Sequence, residues 1–116
     1  MYRQGDILLV PIAPLADRQI KRIRENGILA YGEATGHKHK IRDEDQENVM
    51  VVEAEDGSDF LEAIIVRNQS AEIVHEDADG NEAEHLPIEV PPGTYQVVHQ
   101  READPLSATS WRKVVD

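Results

Sequence analysis

The sequence predicts an all-β, mostly antiparallel fold, a small single-domain barrel or sandwich over residues 1–116. Three observations carry that expectation. Short apolar runs rich in Val and Ile recur along the chain, turn signals built on Asp, Asn and Gly separate them, and no long segment holds a helical period. Around eight short strands at close spacing are expected, with less than about one-fifth helix.

Taken in order, "DILLVPI" (6–12) is apolar, β-branched and closed by prolines, which makes it the first expected strand. Residues 13–27 read as a loop with a helical turn, since Leu15, Gln19 and Ile23 can line a helical face while Ile20 and Ile23 are out of step for one strand. "ILAYGEA" runs to Thr35-Gly36, where glycine suits a reversal, and "HKHKI" alternates after it. "NVMVVEAE" (48–55), Asp56-Gly57 and "DFLEAIIV" (59–66) form a hairpin signal. "AEIVHED" (71–77) meets a second turn at Asp79-Gly80-Asn81 before "EHLPIEV". "PPG" (91–93) introduces "TYQVVHQRE", and "SWRKVV" (110–115) gives a last strand.

Composition narrows the function classes. The absence of cysteine excludes disulfides, thiolate ligands and cysteine nucleophiles, and fits a reducing compartment. The opening apolar run is preceded by Asp6, broken by Pro11 and Pro14, and far short of the ~20 residues a membrane span needs, so neither a signal peptide nor a membrane segment is expected. The cytoplasm is the expected location. A formal charge of −11 opposes general binding to nucleic acid or anionic membrane. Four of the twelve basic residues, Arg18, Lys21, Arg22 and Arg24, gather in "RQIKRIR", while 42–62 and 72–89 are acidic. No Gly-x-Ser-x-Gly elbow, phosphate-cradling loop or dinucleotide fingerprint is present.

The histidines carry the chemistry. On a strand, residues two apart project from one face about 6.8 Å apart, so His37 and His39 can address one ion while Lys38 points away. A second pair, His75 and His85, brackets the Asp79-Gly80 turn: a two-residue turn there sets His75 opposite Glu84, and a one-residue bulge brings it level with His85. Two hairpins can thus bring four of the five histidines together. His99 shares a strand face with Tyr95 and Val97, the pattern of a structural histidine, and is a reserve ligand only. Glu33, Glu76 and Glu84 are candidate carboxylates by proximity in sequence.

The stretches Gly5 to Pro11, Gly32 to Ile41, His75-Glu76, Glu84 to Tyr95 and Gln100 to Glu102 are similar to a family of small uncharacterised bacterial and phage proteins that begin "GD.LLVP". The resemblance covers most of the chain and implies no activity. In relatives the HE and EH elements stand nearly fused; here "DADGNEA" separates them. A looser likeness is to the cupins, in His-x-His followed by an acid (Asp43 or Glu44) and a later Pro-x-Gly at Pro91-Pro92-Gly93. The cupin position for a further histidine, three residues past that glycine, holds Gln96, and His99 lies three further on. The likeness implies a barrel with metal ligands drawn from strands.

The leading expectation is a small β protein that binds one divalent metal (Zn, Fe, Ni or Cu) through His37, His39, His75 and His85. Three bound histidines leave a position for water or oxygen and so for catalysis; four give a closed structural site. The alternative, from a different class, is a non-enzymatic acidic interaction module or inhibitor from a phage or mobile element, with a basic protein as partner. Homo-oligomerisation is compatible with either.

Overall fold

The computed structural model describes residues 1–25, 27–31, 38–76 and 86–99, with the side chains of 30 and 31 excepted. Among the described residues ten strands form two antiparallel sheets: β1 (Tyr2–Gln4), β2 (Ile7–Ile12), β3 (Ile20–Arg24), β4 (Ile28–Tyr31), β5 (Lys38–Ile41), β6 (Val49–Asp56), β7 (Asp59–Val66), β8 (Ala71–Glu76), β9 (Ile88–Val90) and β10 (Gly93–His99). The larger sheet has the order β1-β2-β10-β7-β6-β3 and the smaller one β4-β5-β8-β9. Of the two architectures expected, barrel or sandwich, the two separate sheets fit the sandwich.

The core lies between the sheets. Ile7, Leu9, Tyr95, Val97, Ile64, Val66, Val49 and Val51 come from the larger sheet, and Leu29, Ile41, Ala71, Ile73 and Val90 from the smaller. Each fully buried Val, Leu or Ile contributes roughly 1.5–3 kcal/mol relative to exposure, which is what holds two layers with so few aromatics. Leu8, Val52, Ala54, Ala63 and Val98, which alternate with core positions along their strands, are buried too. This explains why the central strands read as unbroken apolar runs rather than as alternation.

Two hairpins depend on glycine. Between β6 and β7, Asp56 pairs with Asp59, leaving Gly57 and Ser58 as a two-residue loop with Gly57 at φ 64°. Between β1 and β2, Gln4 pairs with Ile7, and the loop is Gly5 and Asp6 with Gly5 at φ 59°. Positive φ at the first loop position is what a type II′ hairpin requires, and it favours glycine there.

The expected strands at 6–12, 48–55 and 59–66 are present, with ends shifted by a residue or so, and the described parts of those expected at 28–34, 37–41 and 71–77 form β4, β5 and β8. The segment read as a loop with a helical turn needs correction. Asp17–Gln19 does form a 3₁₀ turn, but Ile20–Arg24 is an edge strand paired with β6. Ile20 faces Ala54 and Ile23 faces Val52, with a register shift between Ile20 and Arg22. This bulge puts both isoleucines on one face and so removes the apparent phase error. A second 3₁₀ segment, Asp43–Asn48, has no counterpart in the expected elements. The expected strand at 110–115 and the Thr35-Gly36 and Asp79-Gly80 turns lie outside the described residues.

Candidate metal centre

Strands β5 and β8 are neighbours, and their register sets Ile41 opposite Ile73 and His39 opposite His75. Because strand side chains alternate, the histidines share the face of the two isoleucines, which are fully buried in the core. His39 is 4 % exposed and His75 6 %. The rings stack with centroids 4.4 Å apart and 15° between planes. The smaller sheet therefore places two imidazoles side by side at the end of the core. In near-parallel rings the in-plane lone pairs run alongside each other rather than converging, so one ring must turn before both can hold a single ion.

Gln4, on β1 of the opposite sheet, anchors His39. It is only 2 % exposed, its Nε2 donates to the carbonyls of Ile73 and Leu86 at 2.9 Å each, and its Oε1 lies 2.9 Å from His39 Nδ1. Asp6, in the β1–β2 turn, brings Oδ1 to 3.1 Å from His39 Nε2, with its own side chain 56 % exposed. Both nitrogens of His39 are thus addressed by groups from the opposite sheet. The other face of β5 differs. Lys38 and Lys40 both reach Glu76 at 3.6 Å, and Lys40 also reaches Asp43 at 2.8 Å. Hydrogen bonding to Asp43 comes first among the causes that raise the Lys40 pKa.

A second polar cluster sits on the larger sheet. Arg24 bonds Glu53 at 3.1 Å and Glu62 at 3.0 Å, and its Nη1 donates to the carbonyls of Ile28 and Leu29 at 3.3 and 3.4 Å. Glu62 also meets His99 Nε2 at 3.5 Å. The pairing with Glu62 raises the His99 pKa, and that with His99, then the Arg24 charge, lowers Glu62. An open groove of about 800 Å³ runs past Phe60, Glu62 and His99. Three cations of "RQIKRIR" turn to acids of β6 and β7, with Lys21 4.0 Å from Glu55 and Arg22 3.9 Å from Glu53 in addition to the Arg24 pairs.

Of the four expected ligands, the structure brings His39 and His75 together; His37 and His85 lie outside the described residues, as do Glu33 and Glu84. Among the described residues no group of three or more His, Asp or Glu side chains is arranged to hold a metal ion. Glu76 lies on the lysine side of the sheet, opposite the histidine face. His99 does share a face with Tyr95 and Val97, but it stands at the end of β10, 45 % exposed and paired with Glu62. Gln4 and Asp6 escaped the sequence reading although a signal was there: Gly-Asp between Tyr2-Arg3-Gln4 and Ile7-Leu8-Leu9 is a two-residue hairpin pattern.

Fold and site together define a two-sheet antiparallel β-sandwich with a buried histidine pair at one end of its core. The chain belongs to the family described as a domain of unknown function (DUF8820), whose model matches residues 3–100. No curated protein and no solved structure matches the chain. No helix among the described residues is long and apolar enough to cross a membrane.

Proposed function

We propose that the protein binds one divalent metal ion at the histidine end of the sandwich, through His39 and His75 together with His37 and His85. The observation that supports this reading is the register of β5 and β8, which sets two imidazoles opposite each other inside the molecule. Burying polar rings is unfavourable unless their nitrogens are used, and a hydrocarbon pair at these positions would extend the Ile41–Ile73 core at no such cost. Neutral imidazole suits Zn, Fe, Ni or Cu, and a cysteine-free chain offers no thiolate to compete. With three histidines bound, a fourth position stays open to water and the site is catalytic; with four it is structural. We place the protein in the cytoplasm, apart from nucleic acid because of its −11 charge.

Elemental mass spectrometry on protein purified without an affinity tag tests the reading. Wild type and Lys38→Ala are expected to carry close to one equivalent of the same metal, whereas His39→Ala and His75→Ala carry little. Equal metal content in all four proteins would refute it. A chelator-insensitive, stoichiometric complex with a basic protein, in a preparation free of metal, would instead establish the interaction-module alternative.

A further inference from the structure

Gln4 determines which nitrogen of His39 carries hydrogen. Both amide hydrogens of Gln4 are committed to the carbonyls of Ile73 and Leu86, at 2.9 Å each. Turning the amide over would set its oxygen against two carbonyl oxygens, so the orientation is fixed by its partners. Its Oε1 is an acceptor only, and the 2.9 Å contact therefore needs the hydrogen on His39 Nδ1. In a neutral ring Nε2 is then a lone pair, and it faces a second acceptor, Asp6 Oδ1, at 3.1 Å. The contact closes only with a positive centre between the two atoms, either a second ring proton, which makes His39 an imidazolium paired with Asp6, or a metal ion.

From this juxtaposition we infer that Asp6 is an oxygen ligand of the metal, sharing it with His39 Nε2, and that Gln4 is the residue positioning His39. The inference rests on the metal reading above and changes its chemistry, from an all-histidine site to a mixed nitrogen and oxygen one. Two ligand atoms each about 2.0–2.1 Å from a tetrahedral ion stand roughly 3.3 Å apart, close to the separation seen here. A histidine whose far nitrogen donates to a carbonyl-type oxygen is the usual arrangement of a metal-bound imidazole, because it fixes tautomer and ring angle together. Asp6 lies in a hairpin turn and is 56 % exposed while His39 is buried, which gives the ion a route in from solvent. A carboxylate ligand also shifts preference away from soft Cu(I) towards Zn(II), Fe(II) or Mn(II).

Asp6→Asn is the informative substitution. The asparagine amide can donate to His39 Nε2, so it keeps the local hydrogen bond and the fold while withdrawing the anionic ligand. Metal-free Asp6→Asn is expected to keep the fold of metal-free wild type, while its affinity for Zn(II), measured by competition with a chromogenic chelator, falls about 100-fold or more. Asp6→Ala, at an exposed turn position, is expected to lose affinity to a similar extent. Wild-type zinc affinity in both Asp6 variants, alongside loss in His39→Ala, would overturn the role of Asp6 and leave the histidine site standing. Absence of zinc binding by wild type itself would overturn both.

Discussion

Two polar clusters occupy the two sheets of this sandwich, and they are satisfied in opposite ways. On the larger sheet, Arg24, Glu53, Glu62 and His99 compensate one another: each charge meets an opposite charge within 4 Å, and the spare hydrogens of Arg24 go to backbone carbonyls. On the smaller sheet, His39 is held by a neutral amide and stacked on His75, with the Asp6 carboxylate at the edge. A charge-compensated cluster asks for nothing further and reads as structure, even with a groove beside it. A cluster in which a buried, oriented imidazole nitrogen meets a carboxylate at the rim of the core reads as a place prepared for a cation.

Removing Gln4 should sharpen that contrast most. Gln4→Leu strips partners from Ile73 O, Leu86 O and His39 Nδ1 in a buried setting, where each unsatisfied group costs about 1–3 kcal/mol. A loss of roughly 2–5 kcal/mol in urea unfolding is expected, with metal affinity in the surviving folded protein lowered about 10- to 100-fold. Arg24→Ala should break the other cluster at the expense of stability alone. It leaves Glu53 and Glu62 without their closest cation and is expected to cost about 1–3 kcal/mol, with metal content unchanged. A change in metal content in Arg24→Ala would show that the clusters are coupled.

The smallest effect is expected at His99. Its pKa is raised from 6.5 by pairing with Glu62, so its contribution is fully present below about 6.5 and is lost as pH rises through the folded value. Glu62 is lowered from 4.5, so its contribution is present above about 4.5 and is lost as pH falls through the folded value. The pair therefore stabilises most between these limits. His99→Gln should lower stability there by at most about 1 kcal/mol, since the histidine is half exposed, and should converge on wild type once the pH exceeds the folded pKa of His99. A difference that grows towards alkaline pH would contradict the assignment.

Much of the fold was legible because it is local. Asp56-Gly57 announced the β6–β7 hairpin, and the runs at 6–12, 59–66 and 71–77 announced their strands. Strand β3 was hidden by a bulge, since a single inserted residue shifts the two-residue period that reveals a strand. The site was legible in part for a related reason. His39 stood out through His-x-His, but its opposition to His75 depends on the pairing of β5 with β8 across more than thirty residues, which no local pattern encodes. Asp6 and Gln4 come from the opposite sheet, so their approach to His39 exists only after the layers pack. Gly5-Asp6 revealed a turn, and only the packed sandwich shows where that turn points.

The most direct test of a metal site at the histidine pair is a long-range ¹H–¹⁵N correlation spectrum of the histidine side chains, recorded as Zn(II) is added to metal-free protein at constant pH. Saturation is expected near one molar equivalent, with the Nε2 signal of His39 displaced while Nδ1 keeps its hydrogen. His75 should shift in the same titration and Lys38→Ala should behave as wild type. Histidine signals that stay unmoved beyond one equivalent, or that move only at His99, would contradict a metal site at this pair.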